Sequence, residues 1–363
     1  MYKKMFSSSS LLLKLSYTRK NKFSTPCHQL ITKTHKKFGL LIKYFSIGIE
    51  NYDDDDNDNS NSYKTIAAFN NIIKKLEGND TSLTSLELSG FMLNEHQLEL
   101  LSLKLKNTKC RIKFLDLRHN NINKQNVQFI VDGLKGQDKF NAIEHIDLRF
   151  NKLEDVGLRK LSSAILNSQS LKVLNLWDNK LTDDGMKSFS NALSNNNSLE
   201  NISLGFNTIT NDGVQLICNA ILKNKTSKLK ELNLRSNYIS CDGAKYIGEI
   251  LHRLDSITIS NNNIEDTGAW HLASILVNLD VKQEREDGKP IAKIDLSKNE
   301  ISNDGLNCFI EGLQHQNAPD NIIVEHLKLL KCDSINTECV MGIWTNKDDI
   351  NLKSEDPYGW EAR

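Results

Sequence analysis

The chain has 363 residues, 39% of them hydrophobic and 25% charged, with 46 basic and 46 acidic side chains. That length suits two or three globular domains or one long repeat array, and only four prolines and 18 glycines exclude collagen-like and proline-rich chains. Even charge argues against nucleic-acid binding by bulk electrostatics, which needs a basic excess. No run of about 18 apolar residues exists to cross a membrane; the longest apolar stretch, Phe38 to Ile49, is short and interrupted by Lys43 and Tyr44. The seven cysteines (Cys27, Cys110, Cys218, Cys241, Cys308, Cys332 and Cys339) are odd in number and form no CxxC pair. Free thiols in a reducing compartment are expected.

The balanced total conceals a split. Residues 1–49 carry ten basic side chains and no acidic one, and Glu50 to Asp58 then supplies six acidic residues, leaving 36 of the basic and 40 of the acidic side chains for the rest. Basic, Ser-rich and acid-free is the composition of a mitochondrial transit peptide. A disordered basic tail in the cytoplasm is the alternative, given the Asn/Asp/Ser tract from Asn51 to Ser62. A secretory signal fits less well, because the apolar stretch Leu11 to Leu15 is short and contains Lys14. Residues 1–62 are therefore read as a leader, and the ordered body begins after it. Ile66, Phe69, Ile72, Ile73 and Leu76 fall at helical spacing, which predicts an N-terminal cap helix within 63–82.

From residue 83 one pattern returns: aliphatic, two others, aliphatic, one other, aliphatic, two others, Asn, one other, aliphatic. Seven copies are clean, with the Asn slot filled by Asn120, Asn151, Asn179, Asn207, Asn237, Asn262 and Asn299. An eighth, Leu83 to Leu93, has Phe91 in that slot, and a ninth, from Val324, has Cys332. The period-2 aliphatics place a short strand with its inward face in the core. The Asn side chains are expected to form an internal ladder that satisfies backbone groups left unpaired at the turn. Successive slots lie 29, 31, 28, 28, 30, 25, 37 and 33 residues apart, which leaves room for a helix after each turn. Links such as Leu181-Thr-Asp-Asp-Gly185 and Ile209-Thr-Asn-Asp-Gly213 put Ser, Thr or Asp before each helix as a cap. A Gly recurs six residues after the Asn, where only a residue without a side chain lets the helix start approach its neighbour.

The pattern is the leucine-rich repeat signature, and the "L-T-x-D-G" links resemble the ribonuclease-inhibitor-like subclass, as in ribonuclease inhibitor, the sensor regions of NOD-like receptors and Ran GTPase-activating protein. The resemblance implies an α/β fold. It is a leucine-rich repeat solenoid (horseshoe) with a parallel concave sheet, convex helices and about eight to nine repeats over residues 83–338. The step from Asn262 to Asn299 is about nine residues too long, and the surplus falls at Val281 to Pro290, a candidate insertion loop. Residues 339–363, with Trp344 and Trp360, depart from the pattern and are expected to cap the last repeat's apolar edge.

No GxxxxGK[ST], GxGxxG after a strand, HExxH or GxSxG occurs, and no Cys/His cluster has metal spacing. Neither a catalytic residue, a metal nor a cofactor is assigned. Asp116, Asp147 and Asp295 occupy the slot between the second and third aliphatics, where they are expected to face solvent on the sheet. The slots after the third aliphatic are more informative. They place Phe150, Trp177 and Phe206 on three consecutive repeats, with Asp178 among them and Arg118, Arg149 and Arg235 flanking. Strands about 4.8 Å apart bring these side chains within roughly 20 Å. Aromatics with Arg compose interface hot spots, and Trp177 is expected to be exposed.

The function expected is therefore a non-enzymatic scaffold or adaptor: a monomer that binds protein partners on the concave face, with no nucleic acid and no integral membrane segment. The alternative is a GTPase activator resembling Ran GTPase-activating protein, although the strongly acidic tail common in that family is missing from Lys353 to Arg363. Ribonuclease inhibitor itself is richer in cysteine and longer in repeat number.

Overall fold

The computed structural model describes residues 59–135, 143–278, 293–305, 307 and 327–328. Most of the leader, the Val281–Pro290 insertion, the Cys332 slot and the 339–363 cap lie outside the described residues.

Short strands alternate with helices. A helix α1 (Asn59–Glu77) precedes β1 (Ser85–Glu87), α2 (Glu95–Asn107), β2 (Phe114–Asp116), α3 (Val127–Leu134), β3 (His145–Asp147), α4 (Glu154–Asn167) and β4 (Val173–Asn175). Then follow α5 (Asp183–Leu193), β5 (Asn201–Ser203), α6 (Asn211–Lys223), β6 (Glu231–Asn233), α7 (Cys241–Ile250), β7 (Ser256–Thr258), α8 (Asp266–Asn278), β8 (Lys293–Asp295) and β9 (Leu327–Lys328). The strands form one parallel sheet in simple chain order, β1 to β9. Parallel neighbours need a crossover, and between β1 and β8 each connection contains a helix on the same side of the sheet.

Register is constant. Leu86, Leu115, Ile146, Leu174, Ile202, Leu232, Ile257 and Ile294 pair in series. They and the aliphatics two residues on, from Leu88 to Leu296, are buried against the helices. Helix α1 places Phe69, Ile73 and Leu76 in this core and leaves Ile66 exposed; it ends at Glu77, five residues short of the span expected for the cap. Helix α2 carries a capping box, in which Asn94 and Gln97 satisfy each other's backbone N–H groups.

The seven Asn side chains are all buried. Asn207 is representative: its Nδ2 donates to the carbonyls of Leu176 (3.1 Å), Leu204 and Gly205 (both 2.9 Å), and its Oδ1 accepts from the N–H groups of Asn179 (3.1 Å) and Leu181 (3.0 Å). One rung is incomplete. The Oδ1 of Asn179 is buried without a partner, because the preceding turn differs. Glu154 there takes φ 52°, and its N–H bonds the Asn179 backbone carbonyl (3.0 Å), so the N–H of Leu153 does not reach the side chain.

A second ladder runs along the helix starts and corrects the capping expectation. Thr182 does accept from the N–H of Asp184 (3.2 Å), but Thr210 and Ser240 make no cap bond of their own. The cap comes from the previous repeat instead. Asp183 Oδ1 accepts from the N–H groups of Thr210 (2.8 Å) and Gly213 (3.1 Å), and Asn211 Oδ1 from those of Ser240 (2.9 Å) and Gly243 (3.0 Å). The Thr210 hydroxyl donates to Asp183. The recurrent Gly follows from this geometry, since a Cβ at Gly213 would sit 2.3 Å from Asp183 Oδ1.

Candidate functional site: the aromatic row on the sheet face

The residue before each Asn takes the left-handed conformation: His119 (φ 53°), Phe150 (57°), Asp178 (49°), Phe206 (52°), Ser236 (56°), Asn261 (55°) and Lys298 (58°). Backbone bonds tie the same positions of neighbouring repeats, from His119 N–H to the Arg149 carbonyl through Asp178 N–H to the Gly205 carbonyl and Phe206 N–H to the Arg235 carbonyl. With equal φ the Cβ vectors run parallel, so these side chains form one row at about 4.8 Å per step. His, Asp and Asn tolerate this conformation comparatively well, whereas a bulky side chain is strained there by an amount of order 1 kcal/mol. Phe150 and Phe206 bear that strain, and Phe206 is also 54% exposed. Neither feature serves the fold.

Trp177 is not the exposed anchor expected: it is 4% exposed. Its ring lies over Gly205 of the next repeat, where a Cβ would come within 2.2 Å of Trp177 Cε3. Phe206 stacks on it at 6.1 Å between centroids and 12° between planes, and the Arg235 guanidinium lies 6.0 Å over it. Trp177 is thus the floor of the patch and Phe206 its exposed wall. On the other side of Asp178, Phe150 stacks on His119 at 4.3 Å and 7°, a contact to which the His119 slot in the repeat alignment was the available signal.

The acidic slot also departs from expectation. Asp116 and Asp147 are buried, not solvent-facing. Each accepts from the backbone N–H two residues on (both 3.1 Å) and holds an Arg through Nη2, Asp116–Arg118 at 2.6 Å and Asp147–Arg149 at 2.9 Å. Asn175, Asn233 and Asp295 make the same backbone bond to Trp177, Arg235 and Ser297. The slot therefore closes the strand end with a local turn. Arg149 is buried and Arg118 half-buried, so neither is a free flank of the patch. Hydrogen bonding to Asp116 first, and then the nearby carboxylates, hold the Arg118 guanidinium more firmly protonated than usual.

Asp178 is different. No hydrogen bond or ion pair engages its carboxylate among the described residues. Burial raises its pKa, which the positive charges of Lys180 and His119 only partly oppose. His145, edge-on to Phe114 at 4.5 Å, is held below the usual histidine range, chiefly by burial and further by Arg149, against Asp147 and Asp116. At the strand entry an alternating series is present that the sequence reading missed: Lys113 and Lys172 (2.7 Å) both pair with Glu144, and Lys230 pairs with Glu200 (2.6 Å). Among the described residues no group of three or more His, Cys, Asp or Glu side chains could hold a metal ion, and no helix is long and apolar enough to cross a membrane.

A parallel sheet backed by helices, with an internal Asn ladder and an aromatic row on the face that no described helix covers, defines a repeat solenoid. Residues 142–162, 167–190, 195–218 and 226–248 match the family model described as Leucine Rich repeat. The chain thus contains leucine-rich repeats, long and helix-bearing as in the ribonuclease-inhibitor-like kind. No curated protein matches it in sequence. Similar solved structures include "Leiomodin-1 Actin-Binding Site 2 (ABS2)" (16% identity, 43% of this chain and 88% of that one, TM-score 0.37). The Caenorhabditis elegans tropomodulin C-terminal domain gives 16%, 43%, 92% and 0.36. An internalin from Listeria monocytogenes gives 15%, 76%, 91% and 0.28.

Proposed function

We propose that the protein is a binding scaffold that engages a protein partner on its sheet face, at Phe150, Phe206 and the Trp177–Arg235 pair. The observation that carries this reading is Phe206, a large apolar side chain both exposed and held in a strained backbone conformation. More than half of the Phe206 surface lies outside its one stacking contact with Trp177, and a rigid aromatic over a desolvated floor is what an interface anchor requires. Saturation of Arg118 and Arg149 by Asp116 and Asp147 keeps the surface beside the row close to neutral, which suits burial beneath a partner.

Photo-crosslinking in cells tests this. A benzophenone side chain in place of Ser236, beside Phe206 in the row, should yield one discrete protein adduct, and Phe206→Ala should abolish it. A benzophenone in place of the exposed Lys187, on helix α5, should yield none. An adduct formed from position 187 and not from 236, or one indifferent to Phe206→Ala, would refute the reading.

A further inference from the structure

Among the acidic side chains on the sheet face, Asp116 and Asp147 are each bound by an Arg. Among the described residues Asp178 has no such cation. It sits between Phe150 and Phe206 in the row, two steps or roughly 10 Å apart. One face of Phe150 is covered by His119 and one face of Phe206 by Trp177. A carboxylate without an ion pair among aromatic rings is unfavourable for the free protein, because burial weakens its hydration and the nearby Lys180 and His119 only partly offset that loss. It becomes favourable once a cation arrives that can pair with the carboxylate and lie against a ring face.

Resting on the sheet-face reading, we propose that Asp178, bracketed by Phe150 and Phe206, is a socket for a basic side chain of the partner protein, arginine above lysine. Guanidinium is planar, is more weakly hydrated than ammonium and combines stacking with carboxylate pairing. Lys180 and His119 lie near enough to perturb Asp178 but make no ion pair with it, so no described side chain fills the socket. The charge is complementary to a basic segment, and the flanking rings exclude water from the pair.

The test uses a random-peptide display library selected on the full-length chain. Selected peptides are then measured against the wild type, Asp178→Asn and Phe206→Ala. Asn is well tolerated in the left-handed conformation, so Asp178→Asn keeps the fold. Peptides that depend on Phe206 should share one fixed arginine or lysine. Replacing it by citrulline should weaken binding to the wild type about tenfold or more, and should change binding to Asp178→Asn little. Phe206-dependent peptides with no fixed basic position, or an equal citrulline loss on both proteins, would overturn the socket while leaving the sheet-face reading intact. Peptides indifferent to Phe206→Ala would overturn both. Overlapping peptides from residues 1–49 are measured alongside. Tighter binding by one of these than by any selected peptide would overturn the assignment to a separate partner.

Discussion

The incomplete rung at Asn179 makes the Asn ladder testable by comparison within one molecule. Truncating Asn207 to Ala removes an oxygen that receives two buried N–H groups, those of Asn179 and Leu181, and a nitrogen that serves three carbonyls. Truncating Asn179 removes an oxygen that receives none and a nitrogen that serves Leu148 and Trp177. Carbonyls have a second lone pair and tolerate the loss better than N–H groups. An orphaned buried N–H costs about 1–3 kcal/mol, so two of them set the expected difference. Asn207→Ala should destabilise by about 2–6 kcal/mol more than Asn179→Ala. Urea unfolding followed by far-UV circular dichroism measures both, provided the denaturant slopes agree with the wild type. Equal losses for the two variants would refute the account of the ladder, since both remove the same atoms from equally buried sites.

Further expectations follow from the same geometry. Gly213→Ala forces a Cβ against Asp183 Oδ1 and Ile209 Cγ2 and should lower stability by about 1–3 kcal/mol; the same change after Asp183→Ala should cost less, as a double-mutant cycle reads directly. Phe206→Asn should shift the unfolding free energy by under about 1 kcal/mol, relief of strain offsetting the lost Trp177 stacking, while abolishing the adduct from position 236. Because burial raises the Asp178 pKa in the fold, its ionisation opposes folding. Its contribution favours the folded state at low pH and is lost as pH rises through the folded value. Asp178→Asn should therefore be at least as stable as wild type at neutral pH, with the difference shrinking below the ordinary aspartate range, in a pH series of melting curves. Glu144 behaves oppositely: hydrogen bonds from Lys113 and then Lys172 depress its pKa. The stability it contributes is present above the ordinary glutamate range and fades as pH falls below it, and Glu144→Gln should flatten that acid limb slightly, less so in high salt.

Repetition made the scaffold legible. Aliphatic spacing placed every strand from β1 to β9, the Asn slots marked the ladder, and the recurrent Gly marked where helix starts crowd their neighbours, because each feature depends on residues within one repeat. What the repeat text could not show lies between repeats or in backbone conformation. Trp177 is buried because a Gly stands at 205, 28 positions later in the chain but adjacent in the sheet. Arg149 is consumed by a carboxylate two residues away on the same strand end, a pairing that alternation alone does not reveal. Helices α6 and α7 are capped by Asp183 and Asn211 of their preceding repeats, so a local reading of Thr210 or Ser240 assigned the cap to the wrong residue. The row from His119 to Lys298 exists only because each turn takes positive φ. Side-chain spacing decides which face a strand residue takes. Whether a side chain there is floor, wall or open charge is decided by the residues of adjacent repeats, and only tertiary packing brings those together.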